Sequence, residues 1–235
     1  MARRIYEEWF VHYRFPGHES VRMVETELGL VPEGWLLKPL SAVARVNATS
    51  IDTKAPPAEI LYVDISSVST GSIDIKQPCA FVEAPGRARR VVHDGDTIWA
   101  CVRPNRRSFA LVLSPEPNLV VSTGFAVLTP EGVPASFLFQ AVTTDDFVAY
   151  LVNHAKGAAY PAVTAEEFRN ATIVVPPDEL LSRFEEVAEP MKRLTASLQR
   201  QNTNLRTTRD LLLPRLISGE LDVSGLPSPE EASAA

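Results

Sequence analysis

The sequence predicts an α+β protein, in which an irregular mixed or antiparallel sheet domain is followed by a long heptad-patterned helix. Three observations carry this expectation. Between Trp35 and Pro177, short β-branched and apolar segments alternate with turn signals. Of 19 prolines in the 235 residues, all but four precede residue 178, which argues against long helices in that region. From Asp178 onward the apolar period changes from two to seven.

Taken in order, residues 2–13 (ARRIYEEWFVHY) read as one short helix, with Ile5 and Trp9 four apart and Arg3 and Arg4 facing Glu7 and Glu8. Phe15-Pro16-Gly17 ends it. A helix this short is marginal alone, so its aromatic face requires packing. Residues 18–34 read as a connector closing on Pro32-Glu33-Gly34. Strands are expected at 60–65, 97–102, 109–113, 119–121 and 125–128, with turns at Ser69-Thr70-Gly71-Ser72 and Asp94-Gly95-Asp96. Two helical segments interrupt them. One covers roughly 134–153, and a short one covers 165–170, with Thr164 and Glu167 in capping-box spacing.

In the last third, Phe184, Met191, Leu198, Leu205 and Leu212 recur at seven-residue spacing. The positions three further on are Val187, Leu194, Gln201, Thr208 and Arg215, a column that turns polar toward the end. Phe184, Met191, Leu194, Leu198, Leu205 and Leu212 are the expected interhelical seam; the alternative is a helix packed on its own domain. Pro190 should kink this helix, Pro214 should disturb its last turn, and Ser218-Gly219 should stop it. The small, acidic, Pro-containing tail after Val223 reads as disordered.

Composition narrows the function classes. With 45% hydrophobic and 22% charged residues, the chain is globular rather than disordered. No apolar run is long enough to span a membrane, and the Met-Ala-Arg-Arg-Ile-Tyr-Glu-Glu start lacks an apolar signal core. Cys79 and Cys101, 22 residues apart, read as buried thiols rather than a disulfide or zinc half-site. A cytoplasmic location is therefore expected. The net charge of -6 does not advertise nucleic acid, but its distribution is uneven. Residues 83–107 hold six Arg against three acids, and residues 192–215 hold one Lys and five Arg against Asp210 alone. Such islands are either solvated faces or local fields that attract a polyanion.

Signals for an enzyme are poor. No phosphate-cradling loop, nucleophile elbow or zincin motif occurs, and the four His show no metal spacing. His93-Asp94-Gly95-Asp96 places a His near two carboxylates, but this pattern before a strand is typical of a turn. Catalytic and metal residues are therefore expected to be none. Signals for nucleic acid are better. Arg87, Arg89 and Arg90 follow Ala84-Pro85-Gly86, and Arg103-Pro104-Asn105-Arg106-Arg107 follows a strand. Two Arg-rich loops leaving neighbouring strands can converge on one face. Arg pairs with phosphates and can bind guanine bidentately, while Asn105 suits adenine. Residues 157–161 (GAAYP) form a tight loop from which Tyr160 can stack.

Residues 211–223 (LLLPRLISGELDV) closely resemble the closing motif of the specificity subunits of type I restriction–modification systems. Residues 5–17 (IYEEWFVHYRFPG) resemble the end of that family's central conserved helix, leading into a target-recognition domain. Pro32-Glu33-Gly34-Trp35, Tyr62-Val63-Asp64-Ile65-Ser66, residues 84–90, Gly95-Asp96-Thr97-Ile98, Val102-Arg103-Pro104, Ser122-Thr123-Gly124-Phe125 and residues 157–163 are similar to the domain's recurrent stations. The resemblance implies a domain plan of helix stub (1–15), DNA target-recognition domain (16–177), long conserved coiled-coil-type helix (178–218) and tail (219–235).

It also implies a non-catalytic subunit that reads one half of a split double-stranded DNA target. Its partners would be methyltransferase subunits carrying S-adenosylmethionine and a motor-nuclease subunit. This chain itself would hold no cofactor. Family members usually carry two recognition domains and two long helices; one of each implies either a half-subunit, completed as a homodimer or by a second half-subunit, or a piece of a longer subunit. Ile5 and Trp9 would then expect a partner helix that the chain does not fully supply. The alternative is an interaction protein that binds the methyltransferase through its helix without reading DNA.

Overall fold

The computed structural model describes residues 1–221, in two compact units, Met1–Lys192 and a second that begins at Arg193. The expected disorder of the tail concerns residues outside the described ones.

In the first unit, α1 (Ala2–Tyr6) continues as a π-helical turn over Glu7–Val11. Hydrogen bonds to carbonyls five or six residues back, from His12 N–H to Glu7 (2.8 Å) and from Arg14 N–H to Glu8 (2.7 Å), widen the turn. Tyr6 and Phe10, likewise four apart, are the buried pair, where the sequence pointed to Ile5 and Trp9. The latter two are half-buried against the same core, so the chain itself supplies their packing partner. Arg3 ties this helix down by donating to the Gln140 carbonyl (2.7 Å) and to that of Thr143.

The expected connector contains a hairpin, β1 (Met23–Thr26) and β2 (Gly29–Pro32), with Gly29 at φ 94° beside the turn. Then follow β3 (Leu36–Pro39), β4 (Ala44–Val46), β5 (Glu59–Val63), the short hairpin β6 (Val68–Ser69) and β7 (Ser72–Ile73), β8 (Gln77–Ala80) and β9 (Ala88–Val91). β10 (Thr97–Ala100), β11 (Phe109–Leu111), β12 (Leu119–Ser122) and β13 (Phe125–Pro130) complete the two main sheets. One sheet has the order β11-β10-β13-β4 and is antiparallel throughout. The other has the order β8-β5-β12-β9, with β5 and β12 parallel. The α+β class with a mixed sheet is thus as the sequence indicated.

The helical stretch expected over 134–153 is two helices, α2 (Ala135–Ala141) and α3 (Asp145–His154). The break lies at Thr143 and Thr144. Thr143 Oγ1 donates back to the Phe139 carbonyl (2.6 Å), and Thr144 Oγ1 accepts from Phe147 N–H (3.1 Å) as an N-cap. α4 (Ala165–Asn170) carries the expected Thr164/Glu167 capping box. β14 (Thr172–Val175) pairs antiparallel with β3.

α5 (Asp178–Ile217) continues as helix through both Pro190 and Pro214. Leu180, Leu181, Phe184 and Ala188 bury one face before Pro190, and that burial outweighs one missing hydrogen bond. Phe184 is the clearest correction. It is fully buried among Tyr6, Trp9 and Phe10, with ring centroids 6.1, 6.2 and 5.1 Å away, and belongs to the core of its own unit rather than to an interhelical seam.

Within the second unit, Leu194, Leu198, Leu205 and Leu212 are exposed. With Leu216 they fall within about 40° of one another at 100° per residue, a narrow apolar stripe. Ser218-Gly219 ends the helix as expected, with Gly219 at φ 72° and its N–H on the Leu216 carbonyl (3.3 Å).

Candidate nucleic-acid interface

Two of the expected loop arginines are not in a loop. Arg89 and Arg90 belong to β9, and β9 and β10 lie in different sheets rather than being neighbours. Arg89 is half-buried, with its guanidinium 5.1 Å from the centre of the Phe81 ring. Arg90 is half-buried beside Ser50. Arg87, just before the strand, is exposed. It donates Nη2 to Asp64 Oδ2 (2.5 Å) and Nε to the Tyr62 hydroxyl (3.1 Å), and both interactions hold its guanidinium firmly protonated.

The second segment is a single 3-10 turn, Pro104–Arg106, closed by Arg106 N–H to the Arg103 carbonyl (2.9 Å) and Arg107 N–H to the Pro104 carbonyl (3.0 Å). Pro104 is buried and presets its own φ. The flanking residues Arg103 (φ 52°) and Arg107 (φ 55°) are both left-handed, at a cost of about 1–2 kcal/mol each for a side chain larger than glycine. Arg103 is half-buried. Its guanidinium lies 4.7 Å from the centre of the Tyr160 ring, its Nη2 donates to the Ala159 carbonyl (3.3 Å), and its N–H donates to the Pro161 carbonyl (2.7 Å). Arg107 pairs with Asp145 at 2.6 Å, and its carbonyl accepts from Thr70 Oγ1 (3.0 Å). Asn105 and Arg106 are exposed at the apex, and neither side chain has a hydrogen-bond or ion-pair partner among the described residues. Tyr160 is 70% exposed, on a loop that Gly157 opens at φ 101°.

Arg103, Asn105, Arg106, Arg107 and Tyr160 are therefore brought together. Arg87 is linked to them through backbone, while Arg89 and Arg90 lie on β9 in the other sheet. The Ser122–Gly124 turn between β12 and β13 receives both sides: Thr123 N–H donates to the Arg87 carbonyl (2.8 Å), and Cys101 N–H donates to the Gly124 carbonyl (2.9 Å). Sequence reasoning missed Asp64 and Asp145, the carboxylates that neutralise Arg87 and Arg107. They lie 23 and 38 positions from their partners, and no local pattern signals pairs at such separations.

His93-Asp94-Gly95-Asp96 is a turn. Asp96 is buried and accepts from His93 N–H (2.8 Å), Asp94 accepts from Ser114 N–H (2.6 Å), and Gly95 sits at φ 87°. Burial pushes the Asp96 carboxyl above its ordinary 3.8, and the His93 N–H only partly offsets this. A carboxyl raised in the fold contributes stability that is present below its unfolded value and lost as pH rises through the folded one. The urea midpoint of the native chain relative to Asp96→Asn should therefore fall as pH rises through and above the ordinary carboxylate range. A flat difference across that range would contradict a raised Asp96. Cys79 and Cys101 are half-buried free thiols rather than fully buried ones, and burial pushes Cys101 up to about 11. Among the described residues no helix is long and apolar enough to cross a membrane.

No family profile matches the chain. It is 22% identical over 238 aligned residues to the type I restriction enzyme MjaIX specificity subunit of Methanocaldococcus jannaschii, covering 96% of this chain and 53% of that one. It is 20% identical over 161 residues to the type I restriction enzyme HindI specificity subunit of Haemophilus influenzae, covering 67% and 35%. Among solved structures, the HsdS subunit from Thermoanaerobacter tengcongensis superposes with a TM-score of 0.60 at 28% identity, over 88% of this chain and 54% of that one. A second, from work on complex assembly and conformational transition of the type I R-M system, gives 0.60 at 29% identity over 85% and 52%. The chain spans about half the length of the MjaIX subunit and of these two solved chains, and about a third of the HindI subunit.

Proposed function

We propose, on the premise that this chain is a relative of the specificity subunits of type I restriction enzymes, that it is a non-catalytic DNA-recognition subunit supplying one target-recognition domain. It reads one half of a split double-stranded target and positions a methyltransferase and a motor-nuclease there. The observation that carries the reading is the likeness to a specificity subunit along 96% of the chain. The exposed Arg and Asn side chains near Tyr160 supply the chemistry such reading needs. In this reading S-adenosylmethionine sits on the methyltransferase, and the complex works in the cytoplasm.

The test is duplex binding as a function of salt. Log affinity should fall linearly with log salt, each neutralised phosphate adding about 0.9 to the slope. Binding that is absent at low salt would overturn the reading. A second reading, a methyltransferase-binding protein without DNA readout, draws on the leucine stripe of α5 and on the carboxylates that already engage Arg87 and Arg107. Helix-dependent partner capture without duplex binding would select it.

A further inference from the structure

Resting on the DNA-recognition reading, we infer that Asn105 and Arg106 are the specificity-determining side chains of this face. Arg103, which the sequence groups with them, is instead the positioning residue that aims them through Tyr160. The observation is a division of labour inside five consecutive residues. Arg103 spends its guanidinium on the chain itself, over the Tyr160 ring and on the Ala159 carbonyl, while its N–H holds Pro161. Its side chain and its backbone thus join the same two loops, so the 103–107 turn and the 157–161 loop move as one piece.

The turn between them is stiff. Pro104 is buried, two backbone hydrogen bonds close it, and a left-handed residue bounds it on each side. Strained backbone persists only where the surroundings hold it, and it gathers where orientation matters. Beside the exposed Tyr160 ring, this frame presents one amide and one guanidinium that are exposed and without partners among the described residues. These are the two groups that match base edges bidentately in the major groove, Asn on adenine and Arg on guanine. The ring and the Ala159 carbonyl instead tie the Arg103 guanidinium to the neighbouring loop.

The full chain and its variants are offered a pool of random-sequence duplexes. The selected sequences give a base-preference matrix, and titration on the best duplex gives the salt slope. Asn105→Ala and Arg106→Ala should each flatten the preference at one or two adjacent positions, by about ten-fold or more. Arg103→Ala and Tyr160→Ala should flatten those same positions with the salt slope unchanged. The double variant should do no further damage, because the two residues act through one contact. Arg103→Lys, which keeps a cation over the ring, and Tyr160→Phe, which keeps the ring, should restore much of the preference.

If Arg103→Ala lowers the slope by about one while the matrix stays intact, Arg103 is a phosphate contact and the inference falls. It also falls if the Asn105 and Arg106 variants leave the matrix unchanged while the native chain selects a sequence. A native chain that binds no duplex overturns the DNA reading itself, and the inference with it, so the two failures are distinguishable.

Discussion

Phe184→Ala should destabilise the first unit by about 3–5 kcal/mol, the usual range for removing a fully buried aromatic ring. The side chain is 0% exposed and sits at the meeting point of Tyr6, Trp9 and Phe10; Phe10 in turn lies edge-on to Phe137 at 5.2 Å. These residues come from the continuous N-terminal helix (α1 and its π-helical extension), from α2 and from α5, segments far apart in the chain that meet at this ring. Taking away the shared ring leaves a cavity bounded by rigid aromatic groups that collapse poorly, which places the cost toward the upper end. The measurement is the urea midpoint with the slope of the transition held in common. Leu205→Ala, one of the same heptad series but 66% exposed, should shift that midpoint by no more than about 0.5 kcal/mol. Equal effects at both positions would contradict the separation of core and stripe along this helix.

The second large effect concerns assembly. Leu194, Leu198, Leu205 and Leu212 present an apolar stripe to solvent, and a helix with such a seam gains stability by pairing. Under the proposed function the occupant is a second copy of this helix or the helix of another half-subunit, with the methyltransferase docking on the pair. A two-fold homodimer would read a palindromic split target, whereas two different halves would read an asymmetric one. Leu198→Asp combined with Leu205→Asp would place two carboxylates in an apolar seam, where an unpaired charge is costly. Sedimentation at tens of micromolar should then show a monomer where the unaltered chain self-associates, while the urea midpoint of the first unit stays unchanged. An unaltered chain that sediments as a monomer would exclude self-pairing and leave the stripe to the other half-subunit or the methyltransferase.

Local signals made much of the chain legible from its residues alone. The Thr164/Glu167 capping box, the Asp94-Gly95-Asp96 turn, the Ser69–Ser72 hairpin and the Ser218-Gly219 stop each depend on residues within four positions of one another. The strands at 60–65, 97–102, 109–113, 119–121 and 125–128 lie within a few residues of the observed ones, because β-branched runs between turn residues have few alternatives. Strands outside those five escaped notice, among them β14, a β-branched Thr-Ile-Val-Val run too short to stand out, and several with weak periodicity. β1 and β2 carry Glu25, Gly29 and Pro32, and β9 is half arginine. They exist because neighbouring strands complete their hydrogen bonds.

By itself, then, the sequence determined the α+β class, the change to a seven-residue period at Asp178, and the presence of an Arg/Asn cluster at 103–107 and of an aromatic loop at 157–161. These follow from composition, from periodicity and from side chains acting on their own turn of backbone, all of which are local. Tertiary structure alone decided which arginines are engaged. Arg87 finds Asp64, Arg107 finds Asp145, and Arg103 finds Tyr160 at separations of 23, 38 and 57 positions, leaving Asn105 and Arg106 exposed. It also decided that one heptad series is core at Phe184 and open at Leu198, Leu205 and Leu212. A heptad states only that residues share a face of a helix. What covers that face depends on segments brought in from elsewhere in the chain, here Tyr6, Trp9 and Phe10 from its first turns.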